Sequence, residues 1–167
     1  SDKERIAAHW DLALKRTQET RRRNWRDFPF ILSWLHKRVC GEAIKGQGRA
    51  GLNKVFKQRL NGRVLKRGVS IGGGAGYAEI ELIREGYIEE MIVYDLSPGR
   101  IVQGQAYAKQ FGVADKIKFF CEDGMAKPLN EKFDLIFWHA ALHHMYDTPA
   151  AVEWSWNALN PGGYFWA

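Results

Sequence analysis

The residues best suited to chemistry are five consecutive small ones, Gly72-Gly73-Gly74-Ala75-Gly76, and one carboxylate downstream of them, Asp95. Val69-Ser70-Ile71 has the texture of a strand and runs straight into the glycines, and Tyr77-Ala78-Glu79-Ile80 opens a helical run. Glycine reaches positive φ without strain and carries no Cβ, so the chain can turn tightly there and a ligand can lie on its backbone. The helix start just beyond offers unpaired N–H groups to an anionic end of that ligand. The spacing discriminates further. Glycines at 72, 74 and 76 make GxGxG, whereas the dinucleotide fingerprint GxGxxG needs a glycine where this chain has Tyr77, which argues against a nicotinamide or flavin site.

Asp95 closes the apolar run Met91-Ile92-Val93-Tyr94, at the distance where an acidic residue ends the second strand of a nucleoside-binding unit. A carboxylate suits a ribose diol because it accepts two hydrogen bonds at once. Ser97, directly before Pro98, is the better helix cap, which leaves Asp95 for the ligand. The remaining candidates are His139, His143 and His144. An imidazole with an ordinary pKa of about 6.5 takes protons near neutrality. The competing reading is that these histidines shape a pocket or hydrogen-bond a loop.

The elements that position these residues alternate. Residues 68–71, 91–94, 117–121, 133–138 and 164–166 read as strands, and 77–85, 98–111 and 149–159 as helices. Repetition of this unit predicts an α/β, Rossmann-like, doubly wound and mostly parallel sheet, with ligands outside the carboxyl ends of its strands. Residues 1–62 read as an N-terminal helical extension of three helices and 63–167 as the sheet-bearing core. In the extension, Asp27 is expected to cap the second helix, and Gly46, Gly48 and Gly51 to form a loop. Trp10, Phe30 and Trp34, with Trp25, are expected to pack in a core or lid.

From Val64 to Ala167 the chain resembles the class I S-adenosylmethionine-dependent methyltransferases of the broad small-molecule type. The resemblance rests on Ser70 to Gly76, Tyr94-Asp95-Leu96-Ser97-Pro98, Cys121-Glu122-Asp123-Gly124, Phe133-Asp134-Leu135-Ile136 with Leu142-His143-His144, and Leu159-Asn160-Pro161-Gly162-Gly163. It implies S-adenosyl-L-methionine as cofactor, with S-adenosyl-L-homocysteine as product. Gly72, Gly74 and Gly76 then line the methionine part, Asp95 holds the ribose, Leu96 packs on the adenine, Asp123 accepts from its amino group, and Met125 adds a second wall. Ser70, Gly73, Gly124 and His139 complete the expected cofactor-contacting set, and His143 or His144 is the candidate base. Family members usually carry an acidic residue two positions before the first glycine. Here that position is Ser70, so a charged contact near the cofactor's amino group is lost, replaced by a hydroxyl, or supplied by another carboxylate such as Glu79.

The implied reaction is methylation of oxygen or nitrogen on a small-molecule acceptor. A non-catalytic cofactor-binding module and an RNA methyltransferase are the alternatives. The net charge of +6 favours anionic partners without choosing among them. Arg21-Arg22-Arg23 with Trp25 and Arg26 reads as a solvated face in preference to a nucleic-acid contact. Cys40 and Cys121 are the only cysteines, which gives neither a disulfide framework nor a CxxC metal site, and no metal ligand is expected. No run approaches the roughly 20 apolar residues of a membrane span, and no apolar leader precedes a cleavage site, so a cytoplasmic protein is expected. A seven-stranded sheet is implied, yet Gly163 to Ala167 falls where the fifth strand belongs. The expectation is that the native polypeptide continues or that another chain covers this edge, the second giving an oligomer through the open edge.

Overall fold

The computed structural model of the chain describes residues 2–19, 28–44, 49–126 and 130–167. Two compact units are present: Ser1–Lys15 with Val64–Ala167, and Arg16–Arg63. The first part of helix α1 (Asp2–Glu19) groups with the sheet-bearing unit.

The sheet has five strands, all parallel, in the order β3-β2-β1-β4-β5. These are β1 (Leu65–Ile71), β2 (Ile88–Asp95), β3 (Ile117–Cys121), β4 (Phe133–Phe137) and β5 (Leu159–Trp166). Helices α4 (Tyr77–Arg84), α5 (Pro98–Gln110) and α6 (Thr148–Ala158) make the crossovers. The expected α/β, Rossmann-like architecture is therefore the observed one. Central parallel strands are covered on both faces and so carry near-continuous apolar runs. Val69, Ile71, Val93, Leu135, Ile136 and Phe137 are buried accordingly. Burying each such side chain contributes about 1.5–3 kcal/mol.

Two strands begin earlier than the sequence suggested. β1 takes in Leu65-Lys66-Arg67 and β2 takes in Ile88-Glu89-Glu90, with Leu65 paired to Ile88 and Arg67 to Glu90. Lys66, Glu89 and Glu90 are exposed, so their charges hide strand ends that the ladder nevertheless uses. β5 also starts early, at Leu159, directly after α6. Phe133 pairs with Leu159 and Leu135 with Tyr164, so Asn160 to Gly163 loop out of register. Gly162 takes a φ of 74° in that loop, and the Asn160 amide donates to Asp134 Oδ1 at 2.9 Å. Asp134 Oδ2 accepts from the backbone N–H groups of Lys66 (2.9 Å) and Arg67 (3.2 Å), so this carboxylate serves the sheet.

Helix ends follow ordinary capping chemistry. Ser97 caps α5, accepting from Arg100 N–H at 3.2 Å, and Asp147 caps α6, accepting from Ala150 N–H at 2.9 Å.

The second unit contains α2 (Pro29–Cys40) and α3 (Ala50–Leu60). Gly41 ends α2 in the left-handed region, donating to Lys37 O. Phe28, without a side-chain cap, stands at the start of α2, and Asp27 lies outside the described residues. Gly51 is not a loop residue. It sits in α3, where a Cβ would come within 2.9 Å of the His36 ring, so its smallness sets the approach of α2 to α3. Gly46 and Gly48 lie outside the described residues, as does the basic run Arg21 to Arg26 with Trp25. Phe30 and Trp34 are exposed rather than packed in a core, because α2 directs Leu32 and His36 inward instead. Among the described residues no helix is long and apolar enough to cross a membrane.

Candidate functional site

Strand order reverses at β1, whose neighbours β2 and β4 lead outward in opposite directions. The carboxyl ends of β1, β2, β3 and β4 converge there, and their loops carry every candidate residue. Missing side chains lock these loops together. A Cβ on Gly72 (φ 64°) would lie 2.9 Å from Ala141 Cβ, which ties the β1 loop to the segment after β4. A Cβ on Gly124 would lie 2.6 Å from the Tyr94 ring and 2.7 Å from Ile71 Cδ1, which ties the loop after β3 to the ends of β1 and β2. Gly76 (φ 65°) meets the Phe119 ring at 2.7 Å in the same sense. Gly74, at φ 59°, has only Arg100 Cδ nearby, at 4.0 Å, so its Cα faces open space in which a ligand can lie.

Asp95 is the electrostatic centre. Its Oδ2 accepts from Gly74 N–H and its Oδ1 from Ser97 N–H, each at 2.8 Å. Burial pushes the carboxyl up, and the proximity of Asp11 adds to this; the two backbone donors and Arg100 pull it back. Each oxygen keeps a further lone pair. Leu96 is half-buried beside it, and its carbonyl accepts from Cys121 Sγ at 3.8 Å. Asp123 Oδ1 accepts from Met125 N–H at 3.0 Å, and Met125 packs on the core cluster of Val69, Ile71 and Trp138. Asp95 and Asp123 thus stand at the ends of neighbouring strands.

Ser70 and Glu79 are both fully buried, and Ser70 Oγ donates to Glu79 Oε1 at 2.6 Å. The hydroxyl at the position before the glycines is therefore joined to a carboxylate from α4.

The histidines separate. His139 is exposed and stacks on Phe137, with centroids 5.8 Å apart and planes at 9°. His143 and His144 occupy the 3-10 turn Leu142–His144 with ring centroids 3.9 Å apart. His143 lines a cavity of about 330 Å³ with Trp138, Ala140, Leu142, Thr148 and Ala167, at the ends of β4 and β5. His144 instead makes a T-shaped contact with Trp10, with ring centroids 5.3 Å apart. Burial pushes His144 below the usual histidine range, helped by His143 and then His9.

Trp10 belongs to α1, the first of the three helices expected in the N-terminal extension. Lys3 forms an ion pair with Asp123 at 2.8 Å. Asp11 accepts from Ser97 Oγ and, at 3.2 Å, from Gly99 N–H at the start of α5. α1 therefore touches the ends of β2, β3 and β4 together. Lys3 and Asp11 escaped sequence reasoning because a polar residue on the outer face of a helix looks the same whether it meets water or a neighbouring loop.

A family model described as a methyltransferase domain matches residues 69–167. Phosphoethanolamine N-methyltransferase 1 of Zea mays is 28% identical over 133 residues, which are 77% of this chain and 25% of that protein. An S-adenosylmethionine-dependent methyltransferase from Geobacter sulfurreducens, solved in complex with S-adenosyl-L-homocysteine, superposes with a TM-score of 0.59 at 22% identity. It covers 68% of this chain and 45% of its own. The (4+2)-cyclase SpnF superposes with a TM-score of 0.61 at 21% identity, over 72% of this chain and 45% of its own. This chain thus spans a quarter of the curated relative's length and under half of these structures' lengths. With the family model covering most of the chain and the glycine loop, Asp95 and the parallel sheet arranged as described, the chain belongs to the methyltransferase domain family.

Proposed function

We propose that this chain binds S-adenosyl-L-methionine across the carboxyl ends of β1 to β4 and serves methyl transfer to oxygen or nitrogen of a small-molecule acceptor. The observation that carries the reading is Asp95, held by Gly74 and Ser97 N–H groups with acceptor capacity left on both oxygens. The residues fit the cofactor. Gly74 leaves open space beside that carboxylate, and Asp123 and Met125 stand one strand further along, where a base attached to the ribose would reach. When bound, the cofactor supplies an electrophilic methyl group on a sulfonium.

The chain's own residues then orient and exclude. Gly72, Gly73, Gly74 and Gly76 give backbone contact to the methionine part, and Leu96 and Met125 give apolar contact to the adenine. α1, through Trp10, shields the mouth from water. His143 faces the cavity at the ends of β4 and β5 and is the residue placed to take a proton from an acceptor there, while His144 is turned to Trp10. Displacement at a sulfonium methyl needs chiefly alignment, so positioning dominates the protein's share. The N-methyltransferase name of the maize relative supports nitrogen as the acceptor atom.

The fold is shared with a (4+2)-cyclase, so the fold by itself does not fix methyl transfer, and the second reading is cofactor binding without it. Calorimetry of the full-length protein with S-adenosylmethionine and S-adenosylhomocysteine is expected to show saturable binding of both. Absence of binding by folded protein rejects the first reading. Binding with no methylated product across amine and hydroxyl acceptors selects the second.

A further inference from the structure

Resting on the cofactor reading above, we infer that the Ser70–Glu79 pair is the anionic element beneath the glycine loop that positions the ammonium group of the cofactor's methionine part, with Glu79 as its charge-bearing member. Ser70, at the end of β1, and Glu79, in the first turn of α4, are both fully buried, and the Ser70 hydroxyl donates to Glu79 Oε1 at 2.6 Å. The pair lies against the loop itself. A Cβ on Gly73 would come within 2.7 Å of Ser70 Oγ and 2.9 Å of Glu79 Oε1, so the space a side chain would need at position 73 is occupied by the pair. Gly73 is half-exposed, which means that one glycine backbone separates a buried carboxylate from whatever lies on the loop.

Three features make this placement effective. A helix N-terminus and a hydroxyl donor both direct positive potential at Glu79, which lets a carboxylate sit in a site that solvent does not reach. Burial removes the screening that weakens surface charges, so its field extends through the loop. A strand carboxylate at position 70 would need space that Glu79 already fills, so helix and strand share one function: the strand supplies the short hydroxyl and the helix supplies the charge. Glu79 acts through the loop and through Ser70, and is a positioning residue.

The test compares two probes that share the adenosine and thioether but differ in the charged amino-acid group: S-adenosylhomocysteine, and 5′-methylthioadenosine, which lacks it. Glu79→Gln, isosteric and still able to accept from Ser70, is expected to weaken S-adenosylhomocysteine about tenfold while leaving 5′-methylthioadenosine within about twofold. Ser70→Asp combined with Glu79→Ala vacates the space that Glu79 fills, returns the charge to the strand and is expected to restore the lost selectivity. Equal weakening of both probes, or of neither, overturns the inference, as does failure of the double variant to regain preference for S-adenosylhomocysteine. If Glu79→Gln does not fold, Ser70→Ala tests the same selectivity, with a smaller expected loss confined to S-adenosylhomocysteine; an unselective result there also overturns it. Failure of the wild-type protein to bind either probe rejects the cofactor reading instead, so the two failures are distinct.

Discussion

Gly74 N–H donates to Asp95 Oδ2 at 2.8 Å, so the loop after β1 and the end of β2 are one hydrogen-bonded unit before any ligand arrives. A glycine with positive φ aims its N–H at the carboxylate, while Ser97 N–H holds the other oxygen. Pre-ordering of this kind lowers the cost of binding, since the loop is not fixed at the ligand's expense.

Asp95→Ala removes the acceptor of both backbone donors and the proposed ribose contact together. Its affinity for S-adenosylhomocysteine is expected to fall about 10- to 100-fold, the loss typical of a charge-assisted hydrogen bond worth about 1.5–3 kcal/mol. Asp95→Asn keeps one acceptor oxygen and is expected to lose less. Burial raises the Asp95 pKa above the ordinary carboxylate value. The stability sign follows: charging this group costs the fold, so its contribution is fullest below the unfolded carboxylate range and declines as pH rises through it. Binding runs the other way, because the diol needs the ionised form. Affinity is expected to weaken on acidification, beginning at a higher pH than for an ordinary aspartate, and calorimetry across pH 4–7 reads it against Asp95→Asn, whose profile is expected to lack this component.

Ser155 stands under the site without touching it. Its hydroxyl accepts from Trp138 Nε1 at 2.9 Å and donates to Ala151 O at 2.7 Å, and both Ser155 and Trp138 are buried. Ser155→Ala orphans a buried indole N–H and is expected to cost about 1–3 kcal/mol. The check is a shift of the denaturation midpoint with an unchanged denaturant slope. A loss below about 0.5 kcal/mol would mean that the indole finds another acceptor.

What the sequence revealed divides along physical lines. Gly72, Gly74, Gly76 and Ser97 were legible because local geometry requires their residue types, positive φ for the glycines and a helix cap for the serine, and the place of Asp95 at the end of β2 was legible from the apolar run it closes. Strand ends at Lys66 and Glu89 were not, because charged residues at the water-facing end of a strand carry no apolar signal. Asp134 looked like part of a functional motif, and the structure gives it the N–H groups of Lys66 and Arg67. Its role depends on a neighbour that is distant in sequence, as do the contacts of Lys3 and Asp11, and no local spacing announces such a partner. Phe30 and Trp34 mislead in the opposite direction, since large aromatic residues signal burial and these two are exposed.

Ala140 follows β4 with φ at 53°, a left-handed conformation in which a Cβ is strained. The cost to alanine is about 1–2 kcal/mol, and glycine's looser unfolded chain offsets about 0.4–1 kcal/mol of the gain from relieving it. Ala140 is exposed, so little packing is lost with the methyl group. Ala140→Gly is therefore expected to lie between unchanged stability and a gain of about 1 kcal/mol, measured by chemical denaturation. A destabilisation beyond about 1 kcal/mol would show that the Cβ itself supports the cavity wall beside His143.

His144 is held below the ordinary histidine pKa by its surroundings, first by burial and then by His143 and His9. A lowered folded value means that the unfolded chain takes up the proton more readily. The contribution to stability is therefore complete above about pH 6.5 and is lost progressively as pH falls from there toward the folded pKa. An NMR titration of the imidazole signals is expected to place His144 below the ordinary value. In His143→Ala the like-charge neighbour is gone, and the His144 titration is expected to move up toward that value while remaining below it, because burial is the larger cause. A titration of His144 that does not respond to the loss of His143 would contradict the close pairing of the two rings at 3.9 Å.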